Sequence, residues 1–249
     1  MATEPVFIGH RGARFEAPEN TLPGFRYAIG IGIQALEFDV HLTADDRLAI
    51  IHDDTVDRTT NGTGRVAELT LADIQALDAR SIFPDWPEPC VVPTLDEVLD
   101  TVAAVPDLFI EIKKDTPERL ARIVPAVIDA IEARNLTSQV TMTSFDPVAV
   151  GLVQSIRPSI RRSYIGDWDT AAQLERSIEL GCTQVDAHMP TADPSLVAAA
   201  KALGWRIGVW PCNSAEALDQ ALSFDPDLIC TDVPTEIRAR YAEKLSKRA

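Results

Sequence analysis

The sequence predicts an α/β protein, a (β/α)8 TIM barrel with a small insertion after an extra hairpin strand near the barrel mouth. Three observations lead there. Eight short apolar runs alternate with longer helix-patterned stretches, the signature of parallel strands joined by helical crossovers. The chain has 249 residues, and a barrel of this kind takes about 250. One additional apolar run follows its predecessor too closely for a crossover, so it has to return as a hairpin. The expected organisation is one domain over 1–249, with a cap-like insertion at about 55–92.

The expected strands are 6–9, 35–40, 108–113, 140–145, 160–165, 184–188, 206–210 and 228–232. The first ends in Gly9-His10-Arg11-Gly12, which sets a titratable base beside a fixed cation at a tight turn. Pro18-Glu19-Asn20-Thr21 follows, with Asn20 the expected N-cap of the next helix. The second strand carries Glu37 and Asp39, two residues apart and therefore on one face. The hairpin return is 48–52. With Asp45-Asp46 as a two-residue turn, Asp39 lies opposite His52. Asp53 is then expected to point away from the His52 imidazole, as strand neighbours do, and to fix the local turn.

From 55 to 92 the helix–strand rhythm lapses. The segment holds Asn61-Gly62-Thr63-Gly64, a short helical stretch 71–77 and Pro84-Asp85-Trp86-Pro87-Glu88-Pro89, and is too long for a plain βα loop. The third barrel strand repeats the same-face pair with Glu111 and Lys113. A helix over 117–134 places Leu120, Ile123, Val124, Val127, Ile128 and Ile131 on one face. Stretches 195–203 and 215–222 are also helical. Phe145, His188 and Trp210 end later strands and are candidate pocket walls.

Composition narrows the function. The net charge is −15, which disfavours nucleic acid and docking on anionic lipid. An acidic protein that binds an anion has to reverse its field locally, with a metal or a few placed cations. Cys90, Cys182, Cys212 and Cys230 form no CxxC pair and are expected to be reduced thiols. No basic, apolar leader and no membrane-length apolar run are evident. The expectation is a cytoplasmic protein without stable membrane association; the oligomeric state is not legible.

His10 and His52 stand beside carboxylate pairs and are the acid–base candidates, because histidine titrates near neutral pH. Arg11 and Lys113 are candidates for gripping phosphate oxygens. Glu37, Asp39 and Glu111 converge if the strands are neighbours, and three carboxylates together call for a hard divalent cation. Spacing alone leaves open an ion-pair cluster of Glu111, Lys113 and Arg11 without metal.

His10-Arg11-Gly12, Pro18-Glu19-Asn20-Thr21, Glu37-Phe38-Asp39, His52-Asp53 and Glu111-Ile112-Lys113 occur in this order, with Arg58-Thr59-Thr60-Asn61-Gly62 after the fourth. In these motifs the chain resembles the glycerophosphodiester phosphodiesterase family, in particular its soluble bacterial enzymes, from His10 to about Pro234. The resemblance implies a capped barrel and metal-dependent hydrolysis of small glycerophosphodiesters to sn-glycerol 3-phosphate and an alcohol such as choline or ethanolamine. It also implies one divalent cation, Mg²⁺ or Ca²⁺ with Mn²⁺ as a further option, at Glu37, Asp39 and Glu111.

Two departures stand out. The chain has Asp46-Arg47 where the family usually has Asp-Gly, and Pro211-Cys212 where it more often has Thr-Val before Asn213. Because Arg11, Lys113 and the metal address the phosphate, small head groups are expected to be cleaved within about one to two orders of magnitude of each other. A lysophospholipase D or phospholipase C-like activity would want an apolar ramp, for which only Ile82, Phe83 and Trp86 offer material. A zinc amidohydrolase would want His-x-His, but Gly12 stands two residues after His10. A catalytically silent phosphate-binding barrel would be expected to lack a histidine or a carboxylate that this chain retains.

Overall fold

Eight strands pair in parallel and nearly close a barrel, and each is short because a barrel strand needs only to cross the core. The computed structural model describes residues 4–247. The strands are β1 Val6–Gly9, β2 Ala35–Leu42, β3 Leu48–Ile50, β4 Asp107–Ile112, β5 Val140–Ser144, β6 Arg161–Tyr164, β7 Gln184–His188, β8 Arg206–Trp210 and β9 Leu228–Thr231. The helices are α1 Leu22–Gly30, α2 Leu71–Gln75, α3 Leu95–Val102, α4 Pro117–Ala133, α5 Pro147–Ile156, α6 Ala171–Glu179, α7 Pro194–Ala202, α8 Ala215–Ser223 and α9 Pro234–Ser246.

The strand order is β6-β5-β4-β2-β1-β9-β8-β7, with β3 antiparallel on β2 outside this ring. A bridge between Gly166 and Ala187 joins β6 to β7. The first and last barrel strands are therefore neighbours, with Gly9 paired to Thr231.

Alternation along each strand separates two environments. Leu36, Phe38, Leu108, Ile110, Val140 and Met142 face outward and join one apolar core with the helices. Within it α4 buries Leu120, Ile123, Val124, Val127, Ile128 and Ile131, the face its period marks. Thr116 caps this helix by accepting from Arg119 N, and Pro117 fills the first turn, where its missing N–H costs nothing. Inside the barrel, Ile8, Ala35, Phe109 and Leu228 form an apolar floor. Asp107, at the start of β4, accepts from Arg161 Nη2 at 2.8 Å and from Arg206 Nη2 at 2.6 Å. This ion-paired plug sits at the N-terminal ends of the strands, so the mouth at the opposite end carries the reactive side chains.

The hairpin differs from the sequence expectation by one residue. Val40, His41 and Leu42 pair with Ile50, Ala49 and Leu48, and Thr43 N donates to Arg47 O. The loop is thus Ala44-Asp45-Asp46, with Asp46 at φ +57°. That left-handed position absorbs one residue more than a two-residue turn does. Asp39 consequently faces Ile51, whose N–H donates to its carbonyl at 3.2 Å, and not His52. The strand also ends at Ile50, so His52 and Asp53 lie in the following bend.

Between β3 and α3 the chain builds a second small core. Ala49, Ile51, Val56, Val66, Leu71, Ile74, Ala79, Cys90 and Val92 pack together beside the mouth. Trp86 of this segment meets Tyr27 of α1 edge-on at 5.9 Å. All four cysteines are free thiols. Among the described residues no helix is long and apolar enough to cross a membrane.

Candidate active site

The acidic centre follows from register. Asp39 on β2 and Glu111 on β4 are partners across the parallel ladder, and Glu37 stands two residues before Asp39 on the same face. One oxygen of each carboxylate lies within 4.8 Å of the others. Lys113 Nζ, just past β4, lies 2.7 Å from Glu111 and 3.3 Å from Asp39. Arg11 Nε lies 3.4 Å from Asp39. The Arg11 N–H donates to Glu37 Oε2 at 3.0 Å.

That last contact needs an unusual backbone. Arg11 has φ +51° and Gly12 has φ +89°, and a side chain at Gly9 would strike the carbonyl of Gly12. Gly9 and Gly12 therefore permit the turn that aims the Arg11 amide inward.

Burial and mutual repulsion set the charges. Burial, then Asp39 and Glu111, push the Glu37 carboxyl well above the usual carboxylate range. Burial raises Glu111 to about 7 against the pull of Lys113. Burial also opposes ionisation of Asp39, but Lys113 and Arg11 outweigh it and hold that group low. Glu37 Oε1 is buried and has no hydrogen-bond partner. A strained carboxylate trio with an unsatisfied inward oxygen is a hard-donor set that fits a divalent cation. The ion pairs with Lys113 and Arg11 coexist with this, and Arg11 is shared with Glu19 at 3.0 Å.

Both histidines are oriented by carboxylates. His10 Nδ1 meets Asp232 Oδ1 in a short contact, and His10 Nε2 lies 3.7 Å from Glu37. Burial opposes the charge on Asp232, yet the bond to His10 and the charge of Arg14 keep it ionised. An ionised carboxylate only accepts, so Nδ1 carries the proton and Nε2 offers a lone pair. His52 Nδ1 is held in the same way by Asp53 at 2.6 Å. Burial chiefly lowers both imidazoles, His52 to about 4. The contact with Asp53 corrects the expectation that neighbouring side chains diverge; these residues are not in a strand.

Several partners of these groups escaped the sequence reading. Asn213 clamps Asp232, donating to Oδ2 at 2.6 Å and accepting from its N–H at 2.8 Å. Arg58, from the segment beside the mouth, donates to Asp53 at 2.7 Å and to Glu19 at 2.7 Å. Asn20 is not the N-cap. Thr21 caps α1, and Asn20, at φ +53°, donates to Asp39 at 2.8 Å. The Pro-Glu-Asn-Thr motif therefore serves the acidic centre as well as the helix. For Asn213 and Asp232, just past β8 and β9, the available signal was a polar residue at a strand C-terminal end, where barrel sites gather.

A cavity of about 150 Å³ opens beside these groups, and His10, Arg11, Glu37, His52 and Glu111 line it. Phe145 and Trp210 line the far wall, with ring centroids 5.9 Å apart and nearly perpendicular. His188 is not part of the lining; it packs against Trp210 at 4.7 Å and bonds Thr191.

Comparison with known proteins agrees with this geometry. The sequence profile of the glycerophosphoryl diester phosphodiesterase family matches residues 10–236. A glycerophosphodiester phosphodiesterase of Caldanaerobacter subterraneus subsp. tengcongensis is 31% identical over 230 residues, covering 92% of this chain and 94% of that protein. A phosphodiesterase of Oleispira antarctica, solved in complex with the product sn-glycerol-3-phosphate, superposes with a TM-score of 0.87 at 27% identity, over 96% of this chain and 97% of that one. A glycerophosphodiester phosphodiesterase of Agrobacterium tumefaciens gives 0.80 at 28% identity, over 95% and 100%. With the barrel, the motif order and the profile in agreement, the chain belongs to the glycerophosphoryl diester phosphodiesterase family.

Proposed function

We propose that this protein hydrolyses glycerophosphodiesters to sn-glycerol 3-phosphate and a free alcohol, with His10 and His52 as the acid–base pair and one divalent cation held by Glu37, Asp39 and Glu111. One observation carries the reading. Two imidazoles, each fixed at Nδ1 by a carboxylate, line the same cavity as Glu37, Glu111 and Arg11, and Asp39 lies beside Glu37 and Glu111 within the trio. The product in the Oleispira structure supports the substrate class. We further treat the chain as one barrel unit over 1–249 with 55–92 as its cap, working in the cytoplasm, a reading that the free thiols support.

A bound cation, Mg²⁺, Ca²⁺ or Mn²⁺, supplies Lewis-acid charge to a phosphate oxygen. Arg11 and Lys113 extend the positive field beside it, in a protein whose net charge is −15. One imidazole accepts a proton at Nε2 as an oxygen nucleophile attacks phosphorus. The other enters the step as an imidazolium, with a second proton on Nε2 beside the Nδ1 proton its carboxylate holds, and donates the Nε2 proton to the departing alcohol oxygen. The gain at one ring equals the loss at the other, so exchange with water restores both.

The test is to incubate the protein with glycerophosphocholine, with and without EDTA, and to measure glycerol 3-phosphate. Release that stops on chelation and returns with Mg²⁺ is expected. No release under any metal condition would defeat the proposal.

A further inference from the structure

Asp186 is a carboxylate inside the cavity that the mechanism above leaves idle. It stands on β7, and β1, β9 and β8 intervene between β7 and β2 in the ring. It therefore lines the same cavity on the wall across from the acidic trio. Its two oxygens accept from Gln184 Nε2 at 2.9 and 3.0 Å. The nearby cation Arg206 is engaged by Asp107 at 2.6 Å. Among the described residues no cationic side chain comes within ion-pair distance of Asp186.

The surroundings are built for this side chain. Gly208 is its neighbour across the β7–β8 ladder. A Cβ at 208 would lie 2.5 Å from Asp186 Oδ1, so only glycine leaves the carboxylate its place. The Trp210 indole donates to the Asp186 carbonyl at 3.2 Å, which ties the ring to β7 in the same cavity lining. Phe145 meets Trp210 edge-on. A negative group that shares a small cavity with an aromatic corner, and that makes no ion pair among the described residues, is a receptor for a positive charge.

Granted the phosphodiesterase reading, on which this rests, we infer that Asp186 is a specificity-determining residue that receives an ammonium group on the alcohol of the bound phosphodiester. The cavity then has two poles. Arg11, Lys113 and the cation site take the phosphate; Asp186, Phe145 and Trp210 take the amine. Burial pushes the Asp186 carboxyl up to about 6, against the hydrogen bonds of Ser163 and Gln184 and the more distant charge of Arg206. A ligand with separated charges meets complementary walls, whereas a neutral alcohol meets an unpaired carboxylate.

The experiment compares glycerophosphocholine with its 3,3-dimethylbutyl isostere, which has the same shape and no charge. Both are assayed at about 0.5 M salt to screen the acidic surface. The wild-type protein should favour the cationic substrate by about tenfold in kcat/KM, and Asp186→Asn should bring the ratio near one. Equal use of both substrates by the wild type would overturn the inference, as would a preference that survives in Asp186→Asn. A binding arm separates this from the phosphodiesterase reading. Free choline is titrated against Trp fluorescence in the wild type and in Asp186→Asn, with 3,3-dimethylbutanol as the neutral control. If neither ester is hydrolysed but choline binds in an Asp186-dependent way, the hydrolase reading fails and the cation subsite stands. If choline binds no better than the neutral alcohol, the subsite fails.

Discussion

Asp53 holds the imidazole of the residue beside it, with Oδ1 2.6 Å from His52 Nδ1. Sequence neighbours meet in this way only because β3 stops at Ile50 and the chain bends. Arg58 completes the arrangement by joining Asp53 to Glu19, and Glu19 in turn reaches Arg11. A side chain of the segment beside the mouth thereby helps to set the orientation of His52.

Arg58→Met tests that arrangement. With its support gone, Asp53 should hold the imidazole less firmly, and kcat should fall about tenfold, less than the loss from removing the imidazole itself. Glu19 is buried and loses one of its two cations, but the Arg58 end of the pair is 39% exposed. The stability cost should therefore be no more than about 1–2 kcal/mol by denaturant titration. An unchanged kcat would uncouple Arg58 from His52.

His10→Ala and His52→Ala should each leave a folded protein with kcat lower by about 10²–10⁴-fold. The double variant should lose less than the product of the two, since the groups act as a unit. Near-normal turnover in either single variant would remove that residue from the pair.

Asp232→Asn retains the shape but not the charge that fixes the His10 tautomer. The amide can present either an acceptor or donors to Nδ1, and Asn213 competes for the same group. A drop in kcat of about 10²–10⁴-fold is expected with little change in KM. A loss confined to KM would instead place Asp232 in substrate binding.

Metal binding should be visible without turnover. Chelated protein titrated with Mg²⁺, Ca²⁺ or Mn²⁺ should melt at a higher temperature, the stabilisation reaching about 2.7 kcal/mol at a hundredfold excess over Kd. Glu37→Gln should blunt that response, because Glu37 is one of the three clustered carboxylates that could hold the ion. Identical metal titrations of both proteins would argue for the ion-pair cluster alone.

Asp186 makes a pH-dependent contribution whose sign is fixed. Its folded value, about 6, lies above the ordinary 3.8. Between these values the unfolded chain releases the proton and the folded one retains it, so this contribution to stability falls as pH rises through the window. Asp186→Asn should remove the decline and be the more stable protein above pH 6, by at most about 3 kcal/mol, less where water reaches the cavity. Parallel stability–pH curves for the two proteins would refute it.

What could be read in advance was periodic. Strand and helix faces are written in apolar spacing, as the six buried positions of α4 illustrate. Period two likewise brought Glu37 onto the face of Asp39, and strand adjacency added Glu111. Contacts between distant positions left no such trace. Glu19 and Arg58 are 39 residues apart, and nothing local distinguishes them from surface charges. Backbone geometry hid the rest. A left-handed Asp46 moved the hairpin by one residue, and a left-handed Asn20 moved the helix cap to Thr21. Asp186 was passed over because one carboxylate on a strand is ordinary until its cavity and Gly208 are seen together.

The neighbouring of β1 and β9 has a consequence in time. During synthesis both imidazoles and all three carboxylates of the centre emerge early, yet the group that orients His10 lies 222 residues downstream. Amino-terminal parts of a chain organise first as it is made, but here the earliest histidine waits for the last strand. The emerging polypeptide thus carries nearly all of its reactive groups through translation with one imidazole unaimed, and ring closure is the event that arms it.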